Sequence, residues 1–278
     1  MKPRILILHA TGTNRDREAA LAFELAGGAP EIIHVNQLAG GERRLADFQM
    51  LVLPGGFSYG DDLGAGKLWA VMLRHQLGDQ IQAFVAAGRP VLGICNGFQV
   101  LVKAGLLPEL PGEAGAQQAT LTRNDSARFE CRWVTLNPQP ASPCIWTAGL
   151  DEPIYCPVAH GEGKFVARDV ATLAEIERAG LVALRYGRQA EAAEAATTNG
   201  AEATATNGSA NGVGYPWNPN GSQNDIAGIC NPAGTILGLM PHPEDHILSQ
   251  QHPRVHRGEQ GMLGLPLFAN GVRYAASI

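Results

Sequence analysis

No run of apolar residues in this chain approaches the roughly 18 that a membrane-spanning helix needs, so no membrane association is expected. Charge is scarce as well. Asp, Glu, Lys and Arg make up 17% of the sequence, the formal balance is −5, and the basic residues form no cluster that would attract a phosphate backbone. Nucleic acid is therefore excluded as a partner. Cysteine occurs five times, at 95, 131, 144, 156 and 230, an odd number, widely spaced and without a CxxC pair. This excludes a disulfide framework and a cysteine-rich zinc site, and fits free thiols in a reducing compartment. Met1-Lys2-Pro3-Arg4 leads directly into the apolar run Ile5 to His9 with no signal peptide, so a cytoplasmic location is expected. A phosphate-binding P-loop is missing too. Gly66-Lys67 is followed by Leu68 where Ser or Thr should stand, and the spacing from Gly60 is one residue too long.

What is present is a 278-residue chain, 45% hydrophobic, long enough for one large α/β domain or two small ones. Short apolar runs alternate with helical stretches in the first half. Ile5 to His9, Glu31 to Val35, Met50 to Leu53 and Val91 to Ile94 read as strands. Asn14 to Ala26, Gly64 to His75 and Asp79 to Ala87 read as helices, the first closed by Gly27-Gly28. Strands separated by helices in this way predict a mostly parallel central sheet, whose ligands bind beyond the carboxyl ends of the strands. In the second half Phe129 to Leu136, Ile154 to Ala159, Leu181 to Tyr186, Ile226 to Cys230 and Ile236 to Met240 read as strands with few helices between them. A smaller antiparallel extension is expected there, and a closing helix over Leu265 to Ala275. The stretch between Arg188 and Gly212 has no aromatic or large aliphatic residue and cannot offset its ordering entropy by burial. It reads as a flexible insertion, at about 188–212, in a single domain spanning 1–278. Asn207-Gly208-Ser209 matches a glycosylation acceptor but carries no weight without a secretion signal.

The most informative segment is VLGICNGFQV, Val91 to Val100. Val91 to Ile94 is a buried strand, Gly93 to Gly97 a sharp turn, and Phe98 to Ala104 a helix ending at Gly105. This is the strand–turn–helix of a nucleophile elbow with a thiol in place of serine. The turn lifts the sulfur out of the sheet, and the helix N-terminus favours the thiolate. A buried structural cysteine is the plain alternative, but the flanking glycines have no purpose in an ordinary core strand. The base and its orienting carboxylate are best sought in Met240-Pro241-His242-Pro243-Glu244. With the prolines holding the backbone extended, Glu244 reaches the His242 ring from the same side. The loop Pro54 to Asp61 follows the strand ending at Leu53, and Gly55 and Gly56 there let backbone N–H groups approach a ligand. Gly56 and Asn96 are the expected oxyanion donors. His246, His252 and His256 do not make a metal site, because Pro243 spoils the helix that HExxH spacing requires; they read as a solvated or structural loop. Leu121 to Phe129 and Pro157 to Gly163 read, on composition alone, as polar turns.

Cys95, His242 and Glu244 together resemble the triad of class I glutamine amidotransferases. The blocks LPGGFSYGDD (53–62), GICNGFQVLVKAGLLP (93–108), RNDSARFECRW (123–133), PVAHGEGKF (157–165), NPNGS (218–222) and GLMPHPE (238–244) are similar to the branch that serves phosphoribosylformylglycinamidine synthases as glutaminase subunits. The resemblance implies a flavodoxin-like α/β fold. It also implies that Gly55, Gln99, Asn124, Ser126 and Phe129 help hold L-glutamine, with His160 and Glu162 near the pocket. Its implied activity is hydrolysis of glutamine through a cysteine thioester. The ammonia would go to a synthetase subunit that amidates formylglycinamide ribonucleotide, with a small third subunit bridging the two. ATP and magnesium belong to that synthetase, and no cofactor is expected in this chain. Two departures stand out: Gly64 where many relatives carry Arg, and the low-complexity stretch 189–211. The alternatives are a glutaminase serving another synthetase, a cysteine-type α/β hydrolase and a non-catalytic scaffold subunit.

Overall fold

Strand β1 (Arg4–His9) is apolar on both faces, with Ile5 to Leu8 almost wholly excluded from solvent, as a central parallel strand must be. The computed structural model, which describes residues 2–113, 115–188 and 212–278, places β1 between β2 (Ala29–His34) and β3 (Met50–Leu53), both parallel to it. β4 (Val91–Ile94) pairs parallel with β3, and β11 (Ile236–Leu239) pairs parallel with β4. The sheet then reverses. β10 (Ile226–Cys230), β9 (Val182–Gly187), β6 (Glu130–Pro138) and β7 (Ile154–His160) follow as antiparallel neighbours, giving nine strands in the order β2-β1-β3-β4-β11-β10-β9-β6-β7. The expected parallel sheet with an antiparallel extension is therefore one continuous sheet, and the extension is nearly as wide as the parallel half.

Helix α1 (Asp16–Leu25) buries Ala19, Ala22 and Phe23, a stripe at three- and four-residue spacing. Phe23 meets Phe268 of the closing helix edge-to-face at 5.1 Å between ring centres. α2 (Val35–Ala39), a single short turn capped through His34, was not foreseen. α3 (Lys67–Gln76) and α4 (Gly78–Ala86) follow β3, and α5 (Asn96–Lys103) follows β4. Two strands missing from the sequence reading, β5 (Ala119–Thr122) and β8 (Lys164–Ala167), form a separate antiparallel pair. α6 (Val170–Arg178) begins at Asp169, whose carboxylate accepts the Thr172 N–H at 2.7 Å. α7 (Leu265–Ala275) closes the chain where expected. The low-complexity segment 189–211 lies outside the described residues. Among the described residues no helix is long and apolar enough to cross a membrane.

Candidate active site

β3, β4 and β11 lie side by side with Leu53 opposite Gly93 and Leu239 opposite Ile94. Their carboxyl ends therefore coincide, and the segments that leave them, beginning at Pro54, Cys95 and Met240, emerge at one place. This register brings together residues far apart in sequence.

Cys95 occupies the turn with φ +50° and ψ −105°, a backbone conformation that non-glycine residues seldom adopt. Its N–H is held by the Leu239 carbonyl at 2.8 Å, and its own carbonyl accepts from the Gln99 N–H at 3.1 Å, so the helix begins at once. α5 thus starts two residues before the expected Phe98. The elbow packs tightly against β3: a β-carbon on Gly97 would stand 1.9 Å from the Leu53 carbonyl oxygen. The Cys95 Sγ, at the base of the site, lies 3.9 Å from the Ala159 carbonyl.

His242 Nδ1 and Glu244 Oε1 are 2.7 Å apart, and both side chains are withdrawn from solvent. The pairing arises differently from the extended geometry expected of the sequence. His242 has φ −110° and ψ 80°, and Pro243 to Asp245 form a 3-10 turn that folds Glu244 back to the ring. Burial alone would pull the imidazole pKa down. The charges of Glu244 and Cys95, and hydrogen bonding to both, outweigh burial and hold it well above the ordinary histidine value. With Nδ1 committed to Glu244, the buried Nε2 is the ring nitrogen left to interact with the Cys95 thiol.

Gly56 and Asn96 flank the thiol. Phe57 N–H donates to the Gly12 carbonyl at 3.0 Å and Asn14 N–H to the Gly55 carbonyl at 3.4 Å, so the intervening Gly56 N–H stays outside that pairing. Asn96 is the first residue of α5, where an amide has no partner within the helix. Among the described residues neither amide donates a hydrogen bond. The side chain of Asn96 accepts the Ser58 N–H at 3.2 Å and ties the two loops together.

The residues expected around glutamine are less uniform. Gln99 is buried and already engaged, donating to the Glu162 carbonyl at 2.7 Å and accepting from Asn96 at 3.0 Å. Asn124 spends its amide on the Arg128 and His160 carbonyls, at 2.9 and 2.8 Å, and on the Gly163 N–H at 3.0 Å. Ser126 donates to Glu130 at 2.7 Å rather than toward the thiol. Phe129 is exposed, its ring 6.4 Å from that of Phe57, at the rim of the loop that carries Gly55 and Gly56. His160 is buried near His242 with neither ring nitrogen partnered; burial, and then the His242 charge, push its pKa down to about 3. Glu162 accepts the Ala65 N–H at 3.2 Å.

Four residues have no signal in the sequence. Asp245 follows the orienting carboxylate, and burial with the Glu244 charge raises its pKa to about 6. Arg15 stands 3.4 Å from it. Asp61 and Lys103 lie on the far side of Asn96 and are taken up below. His246 and His252 are packed with Trp133 and Tyr155, while His256 is exposed. Among the described residues no cluster of three His, Cys, Asp or Glu is placed to hold a metal ion.

A nucleophile at an elbow, an imidazole–carboxylate pair and two vacant amides can carry out acyl transfer from an amide or ester. Comparison with known proteins agrees. Residues 2–275 match the family described as the CobB/CobQ-like glutamine amidotransferase domain. The phosphoribosylformylglycinamidine synthase subunit PurQ of Treponema denticola is 48% identical, with 99% of each chain covered. Its namesake from Dehalococcoides mccartyi is 44% identical over 100% of this chain and 99% of its own. Among solved structures, that of PurLQS from Thermotoga maritima superposes with a TM-score of 0.69 at 30% identity, covering 99% of both chains.

Proposed function

The chain belongs to the CobB/CobQ-like glutamine amidotransferase family, and we propose from that premise that it is the glutaminase subunit of a phosphoribosylformylglycinamidine synthase. It releases ammonia from L-glutamine for a synthetase partner that converts formylglycinamide ribonucleotide to formylglycinamidine ribonucleotide in purine biosynthesis. The observation that carries the reading is the strained Cys95 elbow beside the buried His242–Glu244 pair.

The Cys95 thiolate attacks the side-chain amide carbon of glutamine. The amide oxygen becomes an oxyanion that the Gly56 and Asn96 N–H groups receive. As the C–N bond breaks, the His242 imidazolium gives its proton to the departing nitrogen, and ammonia leaves. The resulting γ-glutamyl thioester is attacked by water, whose proton passes to the now neutral His242. Collapse of the second oxyanion expels the Cys95 thiolate and frees glutamate. Glu244 holds the imidazole in the tautomer that presents Nε2 to these steps. Gly55 completes the wall over Cys95 and His242. Gln99, Asn124, His160 and Glu162 build the pocket's frame, and Phe129 and Ser126 its rim.

ATP and magnesium act on the synthetase, and the chain's own step uses no cofactor. A small bridging subunit completes the complex, a reading supported by the three-letter PurLQS assembly that the solved relative represents. The five free cysteines support a reducing, cytoplasmic setting.

The test is ammonia release from L-glutamine by the chain alone and with the synthetase, formylglycinamide ribonucleotide and ATP. Strong stimulation by the full mixture, lost in Cys95→Ala, is the expected result. Turnover indifferent to those additions would leave a glutaminase of another partner, and silence in every mixture would favour a hydrolase or scaffold.

A further inference from the structure

The loop from Ser58 to Gly66 crosses one face of α5, against Asn96, Gln99 and Lys103, residues at three- and four-residue spacing. Tyr59, Gly60, Asp61, Leu63, Gly64 and Gly66 all have φ between 53° and 102°. Three of these are not glycine, so the path is one that local preference does not select and that must be anchored from outside. The anchors are specific. Ser58 N–H donates to Asn96 Oδ1 at 3.2 Å, and Asn96 Nδ2 donates to Asp61 Oδ1 at 3.2 Å. The peptide groups of Ala65 are held on both sides, the N–H by Glu162 Oε2 at 3.2 Å and the carbonyl by the Lys103 ammonium. Gln99 joins the same assembly through the Glu162 carbonyl.

We propose that Lys103 is a positioning residue for glutamine hydrolysis: by holding the Ala65 carbonyl and balancing the Asp61 and Glu162 carboxylates, it keeps the 58–66 loop seated on α5 and so fixes the Asn96 and Gly56 amides relative to one another. The inference rests on the glutaminase reading. Lys103 itself touches neither the thiol nor the oxyanion site, and acts through Ala65, Asp61 and Asn96.

The electrostatics support the geometry. Burial pushes the Asp61 carboxyl up; the Gly66 N–H opposes this, Glu162 adds to it, and Lys103 and Asn96 oppose it. Burial pushes the Lys103 ammonium down, Glu162 and Asp61 hold it up, and Lys67 pushes it down. Removing the ammonium leaves two carboxylates facing each other, which favours protonation of Asp61. A carboxyl whose pKa rises in this way loses its charged form at higher pH, so the acid limb of activity should move toward neutrality.

The test uses the assembled complex with formylglycinamide ribonucleotide and ATP, and compares wild type, Lys103→Met, and Lys103→Met combined with Asp61→Asn. Asparagine tolerates the positive φ of position 61 and can still accept from Asn96. Displacing an oxyanion donor without deleting it should lower glutamine-dependent kcat by about 10- to 100-fold, with KM changed less than about threefold. Activity with ammonia supplied directly bypasses this subunit's chemistry and should be unchanged in both variants. The double variant should recover the part of the lost kcat that the unbalanced carboxylates cause, and the single variant's acid limb should shift upward. Unchanged kcat in Lys103→Met overturns the proposal. So does a loss that appears equally with ammonia, which marks a general structural defect, or an acid limb that stays in place in the single variant. A wild-type complex that uses ammonia but not glutamine would instead overturn the glutaminase reading, and this proposal with it.

Discussion

A β-carbon placed on Gly55 would stand 2.8 Å from Cε1 of His242 and 3.5 Å from the β-carbon of Cys95. The backbone after β3 is therefore the wall against which the imidazole is set, and the absence of a side chain there is a condition of the His242 position. Gly55→Ala should push the ring off its line to the thiol. The expected loss is about 100-fold in kcat for glutamine hydrolysis, as a displacement of the order of 1 Å produces. Unfolding in urea should show a much smaller effect than activity does. A variant with wild-type turnover would show that the ring has room that the structure does not give it.

The backbone strain at Cys95 separates chemistry from stability. Cys95→Ala and Cys95→Gly should both abolish glutamine hydrolysis, because each removes the attacking sulfur. They should differ in stability. Alanine keeps the unfavourable φ of +50°, whereas glycine relieves strain worth about 1–3 kcal/mol, less its greater entropy cost on folding. Cys95→Gly should therefore unfold at a higher denaturant concentration than Cys95→Ala, and the reverse order would show the turn to be unstrained.

How much of this was legible beforehand depends on range. The elbow could be read because its requirements are local: an apolar strand, glycines at 93 and 97 around Cys95, and a helix behind. β4 and β11 could be read because burial on both faces makes them unbroken apolar runs. Sequence spacing pairs His242 with Glu244 across an extended segment, whereas a 3-10 turn joins them. β5 and β8, as short as β4 and β11, escaped because they are buried on one face only and so lack the unbroken apolar run. α6 escaped because only Thr172 and Ile176 of its residues are buried, too weak a stripe to declare a helix. The grouping of Asp61, Lys103 and Glu162 was beyond any local pattern. A lysine in the last turn of a helix ordinarily answers the helix dipole, and only the tertiary structure shows it turned to the Ala65 carbonyl.

The raised pKa of His242 has a sign that can be tested. Burial opposes it, and Glu244 and Cys95 together more than offset burial. A histidine raised on folding contributes stability that is fully present below its unfolded value, roughly 6.5, and that disappears as pH climbs through the raised value. Wild type should accordingly lose stability on the alkaline side, and Glu244→Gln should lose less there because it has less to lose. The same substitution should move the alkaline limb of glutamine turnover toward lower pH, since the imidazolium that protonates the departing nitrogen would be deprotonated sooner. A limb that stays in place would mean that Glu244 orients the ring without sustaining its charge.

Asp245 offers the opposite case, a carboxyl that folding makes weaker rather than stronger. Burial and the neighbouring Glu244 raise it from 3.8 to about 6, and the Arg15 guanidinium 3.4 Å away does not restore the ordinary value. A group with a raised folded pKa favours the folded state most when protonated, below its unfolded value, and that advantage is lost as pH rises from about 4 through 6. At pH 8 the native protein holds an ionised carboxylate in a site that disfavours it. Asp245→Asn should then stabilise the fold by about 1 kcal/mol, after allowance for the part of the group that solvent reaches. Near pH 4 the two proteins should converge. Urea unfolding at the two pH values decides it: an equal or negative effect of the substitution at pH 8 would show that the Arg15 contact outweighs burial, and that Asp245 supports the triad loop as an ion pair.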